Sequence, residues 1–217
     1  MLILGIDEAG RGPVIGPMVM VGLLIDSEDE KGLIALRVKD SKLLTPKRRE
    51  ALFDKIKALA RKTEIIIITP EEIDNRELSG LNLNQLEAVH IARIINKLKP
   101  DRAIIDCPSN NISSFSDYLK KRLDNPDIEI LAEHKADANH PVVSAASIIA
   151  KVTRDREVEK IKKKIRMDIG SGYPADPVTQ RFLKEQGDKF PEFIRHTWAT
   201  EKERVSKKTQ TSLGEFK

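Results

Sequence analysis

The order of the apolar segments constrains the fold of this chain more than any other feature of the sequence. Residues 2–7 and 18–25 indicate two β-strands, and the turn between them is short enough for antiparallel pairing. A third strand is predicted at residues 64–69, after which strands at 102–107 and 128–132 alternate with helices. This order predicts an α/β fold in which a mixed five-stranded sheet is flanked by helices.

The helices are indicated by capping residues and by apolar side chains at helical spacing. Thr45 and Thr69 each precede a proline, which is typical of an N-cap followed by the first residue of a helix. Further helices are predicted at residues 83–98, 112–123, 141–168, 178–186 and 191–204. We expect a catalytic domain at residues 1–168, a C-terminal helical region packed on it at 169–205, and a flexible tail at 206–217.

The net charge is small, but it is concentrated in one segment. The 217 residues carry 38 basic and 34 acidic side chains, and residues 151–168 hold eight of the basic and four of the acidic ones. The whole excess of +4 therefore lies on one predicted helix. This helix is either a solvated surface or a sequence-independent contact to a nucleic-acid backbone, and charge alone does not separate the two.

The single cysteine, Cys107, excludes an intramolecular disulfide and a cysteine-based zinc site. The longest apolar stretch near the N-terminus is strand-length, which is too short for a transmembrane helix, and no secretory signal is recognisable. We therefore expect a cytoplasmic protein with no membrane contact. A monomer is the expected oligomeric state.

Acidic residues follow two of the predicted strands. Asp7 and Glu8 end the first, Asp106 ends the fourth, and Asp137 lies just before the helix that begins near Pro141. One such carboxylate is usually a cap or an ion-pair partner, but the ends of two neighbouring strands would bring several carboxylates to one edge of the sheet. A cluster of this kind requires cations, and oxygen ligands suit Mg²⁺ or Mn²⁺. Two such ions about 4 Å apart would clamp a phosphodiester undergoing hydrolysis.

The arrangement of Asp7 and Glu8 depends on local backbone geometry. Consecutive strand residues face opposite sides of a sheet, so the two carboxylates converge only if the strand ends or bulges there. The following Ala9-Gly10 makes a break plausible. The turn Gly10-Arg11-Gly12 would also let the backbone approach a ligand without interference from a Cβ atom.

Four ordered motifs resemble those of the ribonuclease HII family in its archaeal form, and the resemblance runs from Leu2 to about Trp198. The first is Gly5-Ile6-Asp7-Glu8-Ala9-Gly10-Arg11-Gly12-Pro13. The second is Asp40-Ser41-Lys42-Leu43-Leu44, where Leu43 stands in place of the second lysine of the family's Asp-Ser-Lys-Lys-Leu element. The third combines Ala136-Asp137 with residues 143–155, and the fourth is Gly170-Ser171-Gly172-Tyr173-Pro174 with the residues up to Pro177.

The resemblance implies a ribonuclease H-like fold and an endonuclease that cuts the RNA strand of RNA/DNA hybrids and ribonucleotides embedded in duplex DNA. The products would carry 3′-hydroxyl and 5′-phosphate ends. The family's catalytic and metal-binding carboxylates fall on Asp7, Glu8, Asp106 and Asp137. Its substrate-binding positions fall on Gly10, Arg11, Gly12, Lys42 and Tyr173.

Several interpretations remain open at this stage. Ser144 and Ser147, at the start of the helix after Asp137, either help to hold a phosphate or only permit close packing. The C-terminal Gln210, Leu213 and Phe216 resemble a sliding-clamp-binding peptide, although the same segment fits a disordered tail. Alternative functions are a DNA nuclease or junction resolvase of the same fold, and a non-catalytic hybrid-binding protein.

Overall fold

The computed structural model describes residues 1–38 and 44–214, without the side chains of 209–214. A five-stranded sheet has the order β3-β2-β1-β4-β5. Its strands are β1 (Leu2–Ala9), β2 (Met18–Asp26), β3 (Lys62–Ile68), β4 (Arg102–Asp106) and β5 (Glu129–Glu133). β1 pairs antiparallel with β2 and parallel with β4, while β2–β3 is antiparallel and β4–β5 is parallel. The predicted mixed five-stranded sheet is confirmed.

Helices cover both faces of the sheet. They are α1 (Glu30–Ala35), α2 (Pro46–Leu59), α3 (Pro70–Asn75), α4 (Leu83–Leu98), α5 (Ile112–Lys120), α6 (Ala136–Asn139), α7 (Pro141–Ile165), α8 (Pro177–Gln186) and α9 (Ala199–Gly214). Thr45 and Thr69 accept hydrogen bonds from the third residues of α2 and α3, as their positions before proline predict. None of the described helices is long and apolar enough to cross a membrane.

The alternation of β1 side chains assigns each helix to a face. Leu4 and Ile6 pack in one apolar cluster with α4, whereas Ile3 and Ala9 pack in the opposite cluster with the first half of α7. Gly5 brings α7 close, since a Cβ there would lie 2.5 Å from the carbonyl carbon of Val142. Odd-numbered residues of β1 therefore face α7 and even-numbered ones face α4.

A third apolar cluster joins the C-terminal region to the rest of the molecule. It combines Val14 and Ile15, from the turn after β1, with Val158 and Ile161 on the second half of α7. Phe182 and Leu183 of α8 and Ile194 complete it. The turn after β1 is thus packed between α7 and the C-terminal region.

The C-terminal region departs from the predicted helix at residues 191–204. A 3₁₀ turn at Pro191–Phe193 is followed by a short extended stretch at 194–195 and a turn at 196–197, and α9 begins only at Ala199. The stretch is extended because Ile194 forms a β-bridge with Ile15 and the Arg195 amide donates to the Val14 carbonyl. Residues 206–214, predicted to belong to a flexible tail, continue α9.

Candidate active site

Three aspartates from different elements form an acidic cluster. One carboxylate oxygen from each of Asp7, Asp106 and Asp137 lies within 4.8 Å of those of the other two. The register explains the first two, because Ile6 of β1 pairs with Ile105 of β4 and each aspartate is the next residue. Asp137 is added by the short helix α6, whose Ala136 amide donates to Asp106 Oδ1 at 3.1 Å. The predicted convergence of these three carboxylates is observed.

Glu8 lies on the other side of the strand from Asp7. β1 continues through Ala9, which pairs with Val19, so the strand neither ends nor bulges at Glu8. The side chain therefore points to the α4 face, towards Glu87, and Glu8 is not one of the three clustered residues. Glu8 nevertheless lines the same cavity as the aspartates. Loss of solvent, followed by the charge of Glu87, raises its pKa well above the ordinary value.

The environment of Asp7 combines burial with two compensating contacts. Burial raises the pKa of this carboxyl to about 7, and the charge of Asp106 acts in the same direction. A hydrogen bond with Ser147 and the charge of Lys151 oppose this shift. The Glu8 amide also donates to Asp7 Oδ1 at 2.7 Å. Carboxylate oxygens crowded in this way, at the edge of an open cavity, form a donor set that fits a divalent cation.

The two predicted serines have different surroundings. Ser147 accepts a hydrogen bond from Lys151, one turn further along α7, and contacts Asp7. Ser144 is buried, donates its hydroxyl proton to the Val38 carbonyl, and does not line the cavity. Ser147 thus links Lys151 to the acidic cluster, whereas Ser144 has the close-packing role that was the alternative interpretation.

The cluster opens into a cavity of about 530 Å³. Its lining contains all of the predicted carboxylates together with Gly10, Arg11, Gly12 and Tyr173. Lys151, Arg154 and Asp155 of α7 and Arg49 of α2 also line it. Lys151, Arg154 and Asp155 belong to the basic segment and the third motif, whereas Arg49 lies outside every predicted motif. An acidic floor with cationic walls can bind cations and a phosphate chain side by side.

The Gly10–Gly12 loop is shaped by a left-handed residue and by two side-chain contacts. Gly10 has φ +81°, and a Cβ there would lie 2.8 Å from the Pro17 carbonyl oxygen. The Arg11 guanidinium donates to Glu87 at 2.8 Å and to Asn84 at 2.6 Å, both at the start of α4. A Cβ at Gly12 would lie 3.3 Å from the Tyr173 ring. The loop and the tyrosine therefore form one continuous wall.

Tyr173 lies in a loop, as predicted, and its side chain is accessible. It is 44% exposed, and the Arg154 guanidinium lies 5.6 Å from the ring centre. Arg154 also donates to the Ser171 carbonyl, while the Gly172 carbonyl accepts from the Val14 amide at 2.8 Å. These bonds fix the tyrosine loop against the turn after β1.

The basic side chains of residues 151–168 separate into two groups. Lys151 and Arg154 line the cavity. Ion pairs with acidic neighbours involve Arg156 with Glu50, Lys160 with Glu157, and Lys162 with Glu159 and Asp168. The start of the segment thus faces the site, whereas part of its remainder belongs to a solvated helix surface.

Four predicted residues, Lys42, Gln210, Leu213 and Phe216, have no described side chain. Lys42 and Phe216 are outside the described residues, and Gln210 and Leu213 are described only as backbone positions of α9. His134 contacts the Cys107 carbonyl at 3.2 Å and His140 contacts Glu133 at 3.1 Å. Neither histidine belongs to the acidic cluster found among the described residues. Cys107 is buried, and burial raises the pKa of its thiol, as expected for a small core residue.

Comparison with known proteins gives a consistent result. The family model described as Ribonuclease HII matches residues 4–201. Ribonuclease HII of Pyrococcus furiosus is 46% identical over 225 residues, covering 100% of this chain and 98% of that protein. The crystal structure of ribonuclease H2 from Pyrococcus horikoshii OT3 superposes with a TM-score of 0.86 at 42% identity, covering 95% and 98% of the two chains. The ribonuclease of the PCNA:RNase HII complex from Archaeoglobus fulgidus gives 0.83 at 40% identity, covering 91% and 95%.

Proposed function

The chain belongs to the ribonuclease HII family and is a metal-dependent ribonuclease H, and we propose that the cavity around Asp7, Asp106 and Asp137 is its catalytic centre. The reaction proposed is hydrolysis of the RNA strand of RNA/DNA hybrids and of ribonucleotides embedded in duplex DNA, leaving 3′-hydroxyl and 5′-phosphate ends. One observation carries the proposal: three clustered carboxylates share a cavity with a glycine-rich loop and an exposed tyrosine.

The clustered aspartates would hold the divalent cations, Mg²⁺ or Mn²⁺, with Glu8 as the fourth carboxylate. Two such ions, when bound, would supply an activated water and stabilise the leaving 3′-oxygen. Glu8 approaches from the α4 side of β1 and the aspartates from the α7 side, so the carboxylates bracket the end of the strand. Ser147 and Lys151 hold Asp7 in place from one face of α7.

The cationic wall provides the attraction for the substrate backbone. Arg154 is nine-tenths buried and its Nε has no hydrogen-bond partner among the described residues, and the Nε of Arg49 is in the same state. Buried guanidinium groups with unused donors are suited to phosphate oxygens. A monomer is the proposed oligomeric state.

The loop and the tyrosine are proposed to recognise the ribose. RNA differs from DNA at the scissile sugar by the 2′-hydroxyl, so discrimination requires a group that reaches this position. The backbone of Gly10–Gly12 can approach closely, and the exposed Tyr173 ring lies against it. A DNA nuclease or resolvase would not need a loop and a tyrosine that contact the 2′-hydroxyl, and a non-catalytic binder would not need the clustered carboxylates.

A DNA duplex that carries a single ribonucleotide tests the proposed specificity. In the presence of Mg²⁺ we expect cutting of this duplex, at the ribonucleotide, and no cutting of the matched all-DNA duplex. Product size on a denaturing gel and end analysis report the position and chemistry of the cut. Equal cutting of both duplexes would assign the protein to the resolvase class, and cutting of neither would favour a non-catalytic binder.

A sliding clamp is the proposed protein partner. The Archaeoglobus fulgidus relative was solved as a PCNA:RNase HII complex. In this chain α9 leads up to the candidate peptide and contains the backbone of Gln210 and Leu213. These two positions are three residues apart, so a continuing helical turn would place them on one side. Together with Phe216 they would occupy an apolar groove of the clamp.

Deletion of residues 210–217 is expected to abolish binding to the sliding clamp and to leave cleavage of a free duplex unchanged. Surface plasmon resonance with immobilised clamp measures the first, and the single-ribonucleotide assay measures the second. A chain with the same eight residues in scrambled order is the matched control for length and composition. Clamp binding that survives both changes would refute the proposed role of the tail.

A further inference from the structure

We propose that Arg195 is a positioning residue for the Gly10–Gly12 loop, and that it sets the preference of the site for a 2′-hydroxyl. The proposal rests on the function proposed above, in which this loop recognises the ribose. Arg195 does not line the catalytic cavity and lies 184 and 185 residues from Arg11 and Gly10 of the loop in sequence. Its effect would therefore be transmitted through the backbone of the loop.

Arg195 is fully buried, and its guanidinium bonds to three backbone carbonyls of the turn after β1. It donates to Gly10 at 2.6 Å, to Arg11 at 3.0 Å and to Gly16 at 2.9 Å. The rigid fork of an arginine is suited to holding several acceptors in a fixed relation. One side chain thus fixes both ends of the turn.

Trp198 adds a fourth bond to the same turn. Its indole Nε1 donates to the Gly12 carbonyl at 3.2 Å. The carbonyls of residues 10, 11 and 12 therefore all accept hydrogen bonds from the side chains of Arg195 and Trp198. Two guanidinium groups lie near the Trp198 ring, that of Arg195 at 4.8 Å and that of Arg76 at 5.4 Å from its centre. These cation–π contacts restrict the orientation of the indole donor.

The segment that carries Arg195 and Trp198 is itself anchored on both sides. The Arg195 amide donates to Val14 at 2.9 Å, and the Phe193 carbonyl accepts from the Gly16 amide at 2.8 Å. Asp74 of α3 accepts from the amides of His196 at 2.7 Å and Thr197 at 3.0 Å. Residues 195–198 are therefore held in a fixed position next to the Gly10–Gly12 loop.

Burying the Arg195 guanidinium costs desolvation free energy, which indicates that this side chain does more than fill space in the core. Among the ion pairs of the described side chains, Arg195 has no carboxylate partner, and its charge is offset by carbonyl dipoles, by the Trp198 ring and by the more distant charge of Asp74. An apolar side chain at such a buried position would avoid the desolvation penalty. What the arginine supplies, and an apolar residue would not, is a fixed backbone in the loop.

A fixed loop is what discrimination by a single hydroxyl requires. A polar group that cannot move is left unpaired when the 2′-hydroxyl is absent, and this penalty is the source of selectivity. A loop free to relax would find another partner or water, and the penalty would disappear. Loss of the support should therefore weaken the binding of ribose-containing substrate more than the binding of DNA.

The test measures the ratio of two dissociation constants, for an all-DNA duplex and for the same duplex with one ribonucleotide. Binding is measured with Mg²⁺ by fluorescence anisotropy in an Asp106→Asn background, so that the substrate stays intact. We expect Arg195→Lys to lower this ratio by at least about tenfold, and Trp198→Phe, which removes one donor, by about threefold. The affinity for the all-DNA duplex should stay within about twofold.

Phe182→Leu is the matched control, because it lies in the same C-terminal apolar cluster but does not touch the loop. It should lower the melting temperature and leave the ratio unchanged. If Arg195→Lys does not fold, Trp198→Phe alone decides, and a ratio equal to that of the parent overturns the proposal. A parent protein without any preference would instead show that ribose recognition by the loop is wrong. A clear parent preference that both variants retain would show that only the role of Arg195 is wrong.

Discussion

Asp106→Asn is expected to lower the rate of RNA cleavage by about three orders of magnitude or more, since a metal-bound transition state is stabilised by several kcal/mol. The amide keeps the shape of the side chain and can still accept from the Ala136 amide, so α6 and Asp137 should remain in place. What is lost is one negative charge and one strong oxygen ligand from the cluster. Affinity for an RNA/DNA hybrid should stay within about threefold, because backbone contacts dominate it.

Single-turnover cleavage of a hybrid in saturating Mn²⁺ measures the rate, and gel-shift titration measures the affinity. Asp101→Asn is the matched control, because Asp101 immediately precedes β4, at the end opposite Asp106, and accepts from the Leu2 amide at 2.7 Å. This control removes the same charge beside the same strand and should retain full activity. A wild-type rate for Asp106→Asn would show that Asp106 is not a metal ligand.

The positions of Asp7 and Asp106 were predictable because they follow from strand order alone. Apolar runs of strand length predict both strands, and the pairing of β1 with β4 brings the ends of these strands together. Glu8 was less predictable, because its direction depends on where the strand stops. Ala9-Gly10 suggested a break at Glu8, but Ala9 still pairs with Val19 and the chain turns only at Gly10, where φ is +81°.

Two arginines, Arg49 in the cavity wall and Arg195 behind the Gly10–Gly12 loop, could not be predicted, because their positions depend on packing between distant elements. Arg49 reaches the cavity from α2, and its guanidinium contacts Asp155 of α7 at 3.4 Å, across 106 residues of sequence. Arg195 contradicts the general rule that arginine is exposed, and it lies in a segment for which the sequence predicts a helix. Its three carbonyl partners come from the other end of the chain, so no local pattern indicates its burial.

The charge pattern of α7 acquires a structural meaning once the helix is placed. Its first residues are buried against β1 and β2, so the basic side chains can begin only where the helix leaves the sheet. Lys151 and Arg154 lie at that boundary and therefore face the acidic cluster. The small net charge of +4 thus conceals two opposite groups at the site, the acidic cluster and the basic side chains beside it. Bound cations would neutralise the acidic cluster and leave the basic charge.

The second large effect expected is a steep dependence of metal binding on pH. Burial raises the pKa of Asp7 from 3.8 to about 7, so folding favours its protonated form. The stability that this contributes to the metal-free protein is complete below pH 3.8 and is lost as the pH rises to about 7. Metal binding needs the ionised carboxylate and must release the proton, so affinity should rise about tenfold per pH unit until pH 7 and then level off.

Isothermal titration with Mn²⁺ between pH 5.5 and 7.5, in buffers of different ionisation enthalpy, measures the affinity and the number of protons released. The raised pKa of Glu8 would add to the number of protons released. The melting temperature of the metal-free protein should fall over the same range, while that of the Mn²⁺-bound protein should not. Asp7→Asn removes the titrating group and should flatten the dependence. An affinity for the unsubstituted protein that is equal at both ends of the range would contradict the assignment of Asp7 as a metal ligand with a raised pKa.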